Sequence, residues 1–188
     1  MVDRYRIDTL SLHAGHTPDP VHGSRAVPIH QTTSYVFQNS EHAASLYNME
    51  QGGHLYSRIS NPTVAVLEQR IAALDKGVAC TATSSGMAAL HLALSVLVSA
   101  GDHIVYSSQL YGAAINLIDQ TLARFGVSST AFDPKDLSAL DRAITPNTKC
   151  VLAELISNPG LDVFDIKRAA AITQAHQVPL IVDGTFNT

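Results

Sequence analysis

Charged residues are scarce in this sequence, and they are not clustered. Asp, Glu, Lys and Arg together make up 15% of the chain, and the formal net charge is -4. Without a run of Lys and Arg there is no electrostatic footprint for nucleic acid or for an anionic membrane surface. The apolar fraction of 46% is too high for a disordered chain, so we expect a folded domain without nucleic-acid or membrane partners.

Cysteines and long apolar runs are scarce as well. Cys80 and Cys150 lie far apart, each inside an apolar stretch, and no C-x-x-C pair is present. This pattern favours buried, reduced thiols over a disulfide or a zinc site. No apolar run reaches the roughly eighteen residues that a membrane span needs, and the first residues do not resemble a signal peptide. The sequence therefore predicts a cytoplasmic protein.

Strand-like and helix-like segments alternate from residue 61 onward. Asn61 and Pro62 are typical of a helix start, and apolar residues then follow at helical spacing. The predicted strands are VACTAT, HIVYSS, VSSTAF, KCVLAEL and PLIVD, with a helical segment between each pair. This alternation predicts an α/β domain, residues 61–188, with a mostly parallel sheet covered on both faces. Residues 1–60 lack a sustained helical period and predict an extended arm.

Ligands of open parallel sheets bind at the carboxyl ends of the strands, and several polar residues follow predicted strands in this chain. Ser84, Ser85 and Gly86 follow VACTAT and open a helix, where free backbone N-H groups favour an anion. The same serines are also good helix caps, and both interpretations remain open. The turn lacks the motifs typical of nucleoside triphosphate sites, dinucleotide sites and serine hydrolases.

The other candidate residues are ambiguous when taken one at a time. Asp183, at a buried strand end, indicates a cation or a donor opposite it, or else a helix cap. Tyr111 is either core or a stacking platform, and Asn158 before Pro159 also suits a simple turn. Tyr56 and Arg58 project to the same side of an extended segment and offer a hydroxyl and a guanidinium to one anion, although a surface Arg is common. The early histidines lack a third ligand, so no metal site is predicted.

Six motifs in this order resemble the Cys/Met-metabolism family of pyridoxal-phosphate enzymes, and most closely its O-acetylhomoserine sulfhydrylases. The motifs are VPIHQTTSYVF, GHLYSRISNPT, SSGMAALHLAL, GDHIVYSSQLYG, ELISNPGLDVFDI and PLIVDGTF. The resemblance implies the large domain of a fold-type I pyridoxal-phosphate transferase, as a three-layer α/β/α sandwich. It also implies homo-oligomers, in the family dimers of dimers, in which the 1–60 arm serves a neighbouring subunit's site.

The resemblance also implies roles for individual residues. Gly86 and Met87, with Ser85 beside them, match backbone positions that bind the cofactor phosphate. Tyr56 and Arg58 match the pair that reaches a neighbouring subunit's phosphate. The remaining matches are Tyr111 as a catalytic tyrosine stacked on the ring, Asn158 near the phenolic oxygen, Glu154 as a supporting carboxylate and Asp183 as the partner of the ring nitrogen. A carboxylate in that last position keeps the nitrogen protonated.

The implied reaction replaces the γ substituent of O-acetylhomoserine by sulfide or a thiol, as in homocysteine and methionine biosynthesis. The family's cofactor-binding lysine and its C-terminal domain have no counterpart in this sequence, and none of the four lysines stands in a matching context. We therefore expect no turnover by this chain alone. Alternatives are a cystathionine γ-synthase or methionine γ-lyase type enzyme, or a non-catalytic fragment that binds a phosphate ligand or pairs with a related subunit.

Overall fold

The computed structural model describes residues 5–187. It divides into two compact units, one ending at Ala82 and the other beginning at Thr83. None of the helices within the described range has the length and apolarity needed to cross a bilayer. The proposed site lies in the second unit, and each unit is therefore treated by itself.

The first unit contains three helices. They are α1 (Ile7–His13), α2 (Ser40–Tyr47) and α3 (Pro62–Leu74). Residues 1–60 were predicted to be extended, and this was wrong for the two short stretches that form α1 and α2. Each of these helices spans only about two turns, which is too short for a helical period to emerge from the sequence pattern. The Asn39 side chain, which accepts a hydrogen bond from the His42 N-H at 2.8 Å, marks the start of α2.

The start of α3 is confirmed. The Asn61 side chain accepts a hydrogen bond from the Thr63 N-H at 2.9 Å, and Pro62 occupies the first turn. The amide nitrogen of Asn61 also donates to the His30 carbonyl at 2.9 Å and to the Ser57 hydroxyl at 3.1 Å. One side chain therefore both caps the helix and ties the preceding loops to it.

The segment VACTAT, residues 78–83, is not a strand, contrary to the prediction. It pairs with none of the four strands within the described residues, and Val78 is fully exposed. A strand needs a neighbour to accept its N-H groups and donate to its carbonyls, and the chain described here supplies none. The Ala82 N-H instead donates to the Glu68 carboxylate at 2.8 Å.

The second unit is built on a four-stranded parallel sheet. Its strands are β1 (His103–Ser107), β2 (Ser128–Phe132), β3 (Thr148–Glu154) and β4 (Leu180–Asp183), in the order β2-β1-β3-β4. These four strands were predicted from the sequence. The helices are α4 (Gly86–Ser95), α5 (Gly112–Asn116), α6 (Leu137–Ala143) and α7 (Ile166–Ala175). A π-helical turn (Leu117–Thr121) and a 3-10 turn (Leu122–Phe125) continue α5.

Helices cover both faces of this sheet. Alternate side chains of the central strands point to opposite faces and pack there with the helices, which gives two separate cores. Ile104 and Leu152 belong to the core beneath α4 and α5, whereas Val105 and Val151 belong to the core beneath α6 and α7. The predicted three-layer α/β/α arrangement is confirmed. Cys150 is fully buried, and desolvation raises the pKa of its thiol to about 12, so it remains a neutral packing residue. Cys80 is half-buried, and both cysteines are free.

The sheet order creates a crevice at one edge. The chain leaves β1 for β2 on one side and then crosses to β3 on the other, so the strand order reverses at the β1/β3 pair. Ligands of open parallel sheets bind at such switch points, outside the carboxyl ends of the strands. Glu154 and Asp183 are register partners at the ends of β3 and β4, which places two carboxylates at this edge.

Candidate functional site

A cavity of about 400 Å³ lies at the carboxyl edge of the sheet. Seven of the nine site residues predicted from the sequence line it: Ser85, Gly86, Met87, Tyr111, Glu154, Asn158 and Asp183. They come from the start of α4, from the last residues of β3 and β4, and from the segments that follow β1 and β3. Parallel topology is the reason, since segments distant in sequence emerge at the same edge.

The start of α4 forms one wall of this cavity. The Ser85 hydroxyl accepts a hydrogen bond from the Ala88 N-H at 3.1 Å and so caps the helix. The N-H groups of Gly86 and Met87 find no acceptor among the described residues, as is usual for a first turn. A Cβ placed on Gly86 would meet no atom within 4 Å. The cap and the anion site are therefore compatible, because the cap uses one N-H group and leaves two others.

Tyr111 lies between β1 and α5. Its side chain is 51% exposed, which rules out the interpretation of this residue as core packing. Its backbone N-H donates to Oε1 of Glu154 at 2.5 Å. The backbone of Tyr111 is thus held to the sheet while its ring stays available to a ligand.

Glu154 is nearly buried and is bound through both carboxylate oxygens. Its second oxygen, Oε2, accepts a hydrogen bond from the Asn158 N-H at 3.1 Å. Desolvation, with a further contribution from the charge of Asp183, raises the pKa of Glu154, while the two N-H donors oppose that rise. The structure therefore places this carboxylate in contact with the backbone of two cavity-lining segments.

Asp183 is less constrained than Glu154. Its Oδ1 accepts from the Thr185 N-H at 2.9 Å and from the Thr185 hydroxyl at 2.5 Å, while Oδ2 has no protein partner within residues 5–187. Thr185 and Phe186 also line the cavity and were missed from the sequence. The spacing Asp-x-Thr was the available signal for Thr185, because it suits a side-chain turn.

Tyr56 and Arg58 belong to the first unit, where they form a pair. The Arg58 guanidinium carbon lies 5.0 Å from the centre of the Tyr56 ring. Tyr56 also makes an isolated antiparallel bridge with Ser34. The prediction that this segment is extended was wrong, because residues 57–59 form a turn in which the Ile59 N-H donates to the Tyr56 carbonyl at 2.8 Å. The two side chains are neighbours because of this turn and not because they alternate along a strand.

The described residues contain no cluster of three metal-ligating side chains. Lysine is also missing from the wall of the cavity. Two of the lysines are instead in ion pairs elsewhere, with Lys135 Nζ 2.9 Å from the Asp162 carboxylate and Lys149 Nζ 3.7 Å from that of Asp102. The cavity thus presents N-H groups, an aromatic ring, an amide and carboxylates, but no amine.

Comparison with known proteins decides which family has this arrangement. The sequence model described as "Cys/Met metabolism PLP-dependent enzyme" matches residues 8–188. The chain belongs to this family. Its members depend on pyridoxal phosphate (PLP), and the predicted family, fold and cofactor class are confirmed.

Individual relatives within the family are similar over nearly the whole chain. Homocysteine synthase of Schizosaccharomyces pombe is 48% identical, with 98% of this chain and 43% of the relative covered. O-acetyl-L-homoserine sulfhydrylase of Leptospira meyeri is 43% identical, with 99% and 42% covered. This chain spans less than half the length of these relatives, and it corresponds to their N-terminal part.

Solved structures of the family superpose closely. A Campylobacter jejuni chain, solved with N'-pyridoxyl-lysine-5'-monophosphate at position 205, matches with a TM-score of 0.93 and 39% identity, over 96% of this chain and 44% of that one. Cystathionine gamma-lyase from Lactobacillus plantarum, complexed with L-serine, matches with a TM-score of 0.88 and 37% identity, over 98% and 46%. The shared fold therefore includes members with different reactions.

Proposed function

We propose that this chain is part of a PLP-dependent enzyme that replaces the acetyl-bearing γ substituent of O-acetylhomoserine by sulfide or a thiol, as in homocysteine and methionine biosynthesis. The main support is the cavity, which lies at a topological switch point of the sheet. Free N-H groups at a helix start, an exposed aromatic ring, an amide and a carboxylate all line it. The names of the relatives, homocysteine synthase and O-acetyl-L-homoserine sulfhydrylase, support the choice of substrate.

The residues of the cavity fit PLP. We assign the phosphate to the N-H groups of Gly86 and Met87, where the missing Cβ of residue 86 leaves room for it. Tyr111 would stack on the ring and Asn158 would bind near the phenolic oxygen, while Ser85 caps the helix start. When bound, PLP supplies an electron sink for negative charge that develops on the substrate.

We assign Asp183 as the carboxylate that pairs with the ring nitrogen of PLP. Thr185 donates two hydrogen bonds to Oδ1, which orients the carboxylate, so Oδ2 would be the oxygen available to the protonated ring nitrogen of PLP. A fixed negative charge at that point keeps the nitrogen protonated. Tyr111, with its exposed phenol, is the residue to which we assign proton transfer at the substrate.

Tyr56 and Arg58 are proposed to act between subunits. We assign them to the phosphate in a neighbouring copy, with residues 1–60 as the arm that delivers them and 61–188 as part of the cofactor domain. This requires at least a dimer, and the family resemblance implies a dimer of dimers. We also propose that the protein acts in the cytoplasm. Sedimentation of the chain alone and with PLP tests the oligomer.

Cofactor binding is tested with pyridoxamine 5'-phosphate, which carries no aldehyde and therefore needs no lysine. Asp183→Asn keeps the shape of the side chain but removes its charge. We therefore expect the affinity for pyridoxamine 5'-phosphate to fall by about tenfold, which corresponds to about 1.4 kcal/mol of binding free energy. Asp165→Asn is the matched control, because Asp165 caps α7 away from the cavity and Asn caps a helix equally well. Equal affinities for both variants contradict the assignment.

The 188-residue chain by itself is proposed to be inactive. The cavity has no lysine, so reduction of the chain with borohydride in the presence of PLP should leave no stable lysine adduct. Mass spectrometry after proteolysis measures this directly. A stoichiometric adduct on any of the four lysines overturns this part of the proposal.

Other reactions stay candidates, because the shared fold includes an enzyme that is named for a different reaction, cystathionine gamma-lyase. Turnover assays need a longer protein, in which this chain is joined to the C-terminal part that its relatives have. Faster homocysteine formation from O-acetylhomoserine and sulfide supports the proposal, whereas faster cystathionine formation from O-succinylhomoserine and cysteine favours a cystathionine γ-synthase. Methane thiol release from methionine favours a methionine γ-lyase. Cofactor affinity without any turnover favours a non-catalytic binding or pairing module.

A further inference from the structure

Glu154 has an unusual combination of burial and partners. The residue ends β3, is only 8% exposed, and uses each carboxylate oxygen for a different backbone N-H group. Oε1 binds the N-H of Tyr111, which lies 43 positions away in sequence, and Oε2 binds the N-H of Asn158. One side chain thus joins the segment after β1 to the segment after β3.

Both N-H groups depend on this carboxylate. Tyr111 precedes the first residue of α5, and Asn158 lies in an irregular loop closed by the bridge between Ile156 and Val163. Neither N-H group has another acceptor among the described residues. An unpaired N-H group in a partly buried position is unfavourable, and hydrogen bonds to a charged acceptor are stronger than neutral ones.

The neighbouring carboxylate shows the contrast. Asp183 is the register partner of Glu154 on β4, yet its two hydrogen bonds both come from Thr185 and fall on a single oxygen. Asp183 therefore retains an oxygen for a ligand, whereas Glu154 has committed both oxygens to protein backbone. The two neighbouring carboxylates therefore differ in the hydrogen-bond donors around them: Glu154 binds two backbone segments, whereas Asp183 keeps one oxygen free of protein donors among the described residues.

We propose that Glu154 is a positioning residue that fixes the distance between the Tyr111 segment and the Asn158 segment, and thereby the slot into which a flat ring fits. The identity of that ring as the pyridine of PLP rests on the function proposed above. The link itself does not, because both of its hydrogen bonds join groups of this chain.

The link is tested first without cofactor, by amide proton exchange and ¹H-¹⁵N spectra. In the unmodified chain the Tyr111 and Asn158 amide protons should shift together with pH along one titration curve, since they share one carboxylate. Glu154→Gln retains a single acceptor oxygen, so at least one of the two amides should exchange about tenfold faster, and in Glu154→Ala both should. Asp119→Asn is the control, because that carboxylate binds Tyr106 and Ser129 instead.

Pyridoxamine 5'-phosphate then links the slot to its ligand. We expect Glu154→Gln to bind it about three- to tenfold more weakly and to change the circular dichroism of the bound ring. Independent titration of the two amides, or unchanged exchange in both variants, overturns the positioning role whatever the ligand does. If the amides behave as expected but the unmodified chain binds no cofactor, the proposed function fails and the link stands.

Discussion

Replacing Gly86 by Ala adds one methyl group that should weaken phosphate binding without destabilising the fold. Residue 86 is the first of α4, and a Cβ there meets no protein atom within 4 Å, so the new methyl group causes no clash in the folded chain. Ala is favoured over Gly in a helix interior by up to about 1 kcal/mol, and less at the first turn. The variant should therefore be as stable as the parent or slightly more so, with a Tm up to about 2–4 °C higher.

The same methyl group lies on the wall of the cavity, where we place the phosphate. A hydrogen bond to a charged group contributes about 1.5–3 kcal/mol, so loss of even one of the two N-H contacts weakens binding by at least tenfold. Calorimetric titration with pyridoxamine 5'-phosphate and with pyridoxamine isolates this effect, because only the first ligand carries phosphate. The affinity difference between the two ligands should shrink in Gly86→Ala.

Gly112→Ala is the matched control. Gly112 is also the first residue of a helix, a Cβ there also meets nothing within 4 Å, and it does not line the cavity. It should show the same small stability change without loss of phosphate affinity. Should Gly86→Ala bind the phosphate ligand as tightly as the control does, the assignment of the phosphate to this helix start is refuted. A lower unfolding temperature would instead contradict the free space for a Cβ at residue 86.

Three further predictions concern the framework. Asn61→Ala removes the cap of α3 and two other hydrogen bonds, so urea unfolding should show a loss of about 1–2 kcal/mol, and an unchanged midpoint contradicts the anchoring role. Leu94→Ala, at a position with no exposure, should cost about 2–5 kcal/mol in the same assay, and a loss below 1 kcal/mol would mean that the core is loosely packed there. Desolvation lowers the pKa of His103 below 6.5, so the unfolded chain binds a proton first and stability should fall as the pH drops below about 6.5. A His103→Leu variant should lack this component of the pH slope.

The sequence predicted the sheet well because its signals are local. HIVYSS, KCVLAEL and PLIVD are mainly apolar segments bounded by turns, whereas VSSTAF mixes polar and apolar residues and is exposed up to Phe132; each of the four became a strand. VACTAT has the same pattern and did not, since forming a strand also requires a partner, which no property of the segment itself can supply. The short α1 and α2 were missed for a different reason, because two helical turns contain too few residues to show a period.

The candidate site was predictable where a residue ends or follows a strand. Asp183 ends β4 and Asn158 follows β3, and the parallel topology brings their segments to one edge of the sheet. The particular bonds were not predictable. That Glu154 would bind two backbone N-H groups, or that Thr185 would occupy one oxygen of Asp183, depends on loop geometry that spacing does not encode.

His103 lies at the opposite end of β1 from the cavity. Its ring nitrogens contact the hydroxyl of Thr148 on β3 at 2.8 Å and that of Thr130 on β2 at 2.9 Å, so one imidazole bridges three strands. The segments that line the cavity take no part in this bridge. The fold thus places this polar link between strands at one end of the sheet and the cavity at the other, so a substitution at a cavity-lining residue leaves the three-strand link intact.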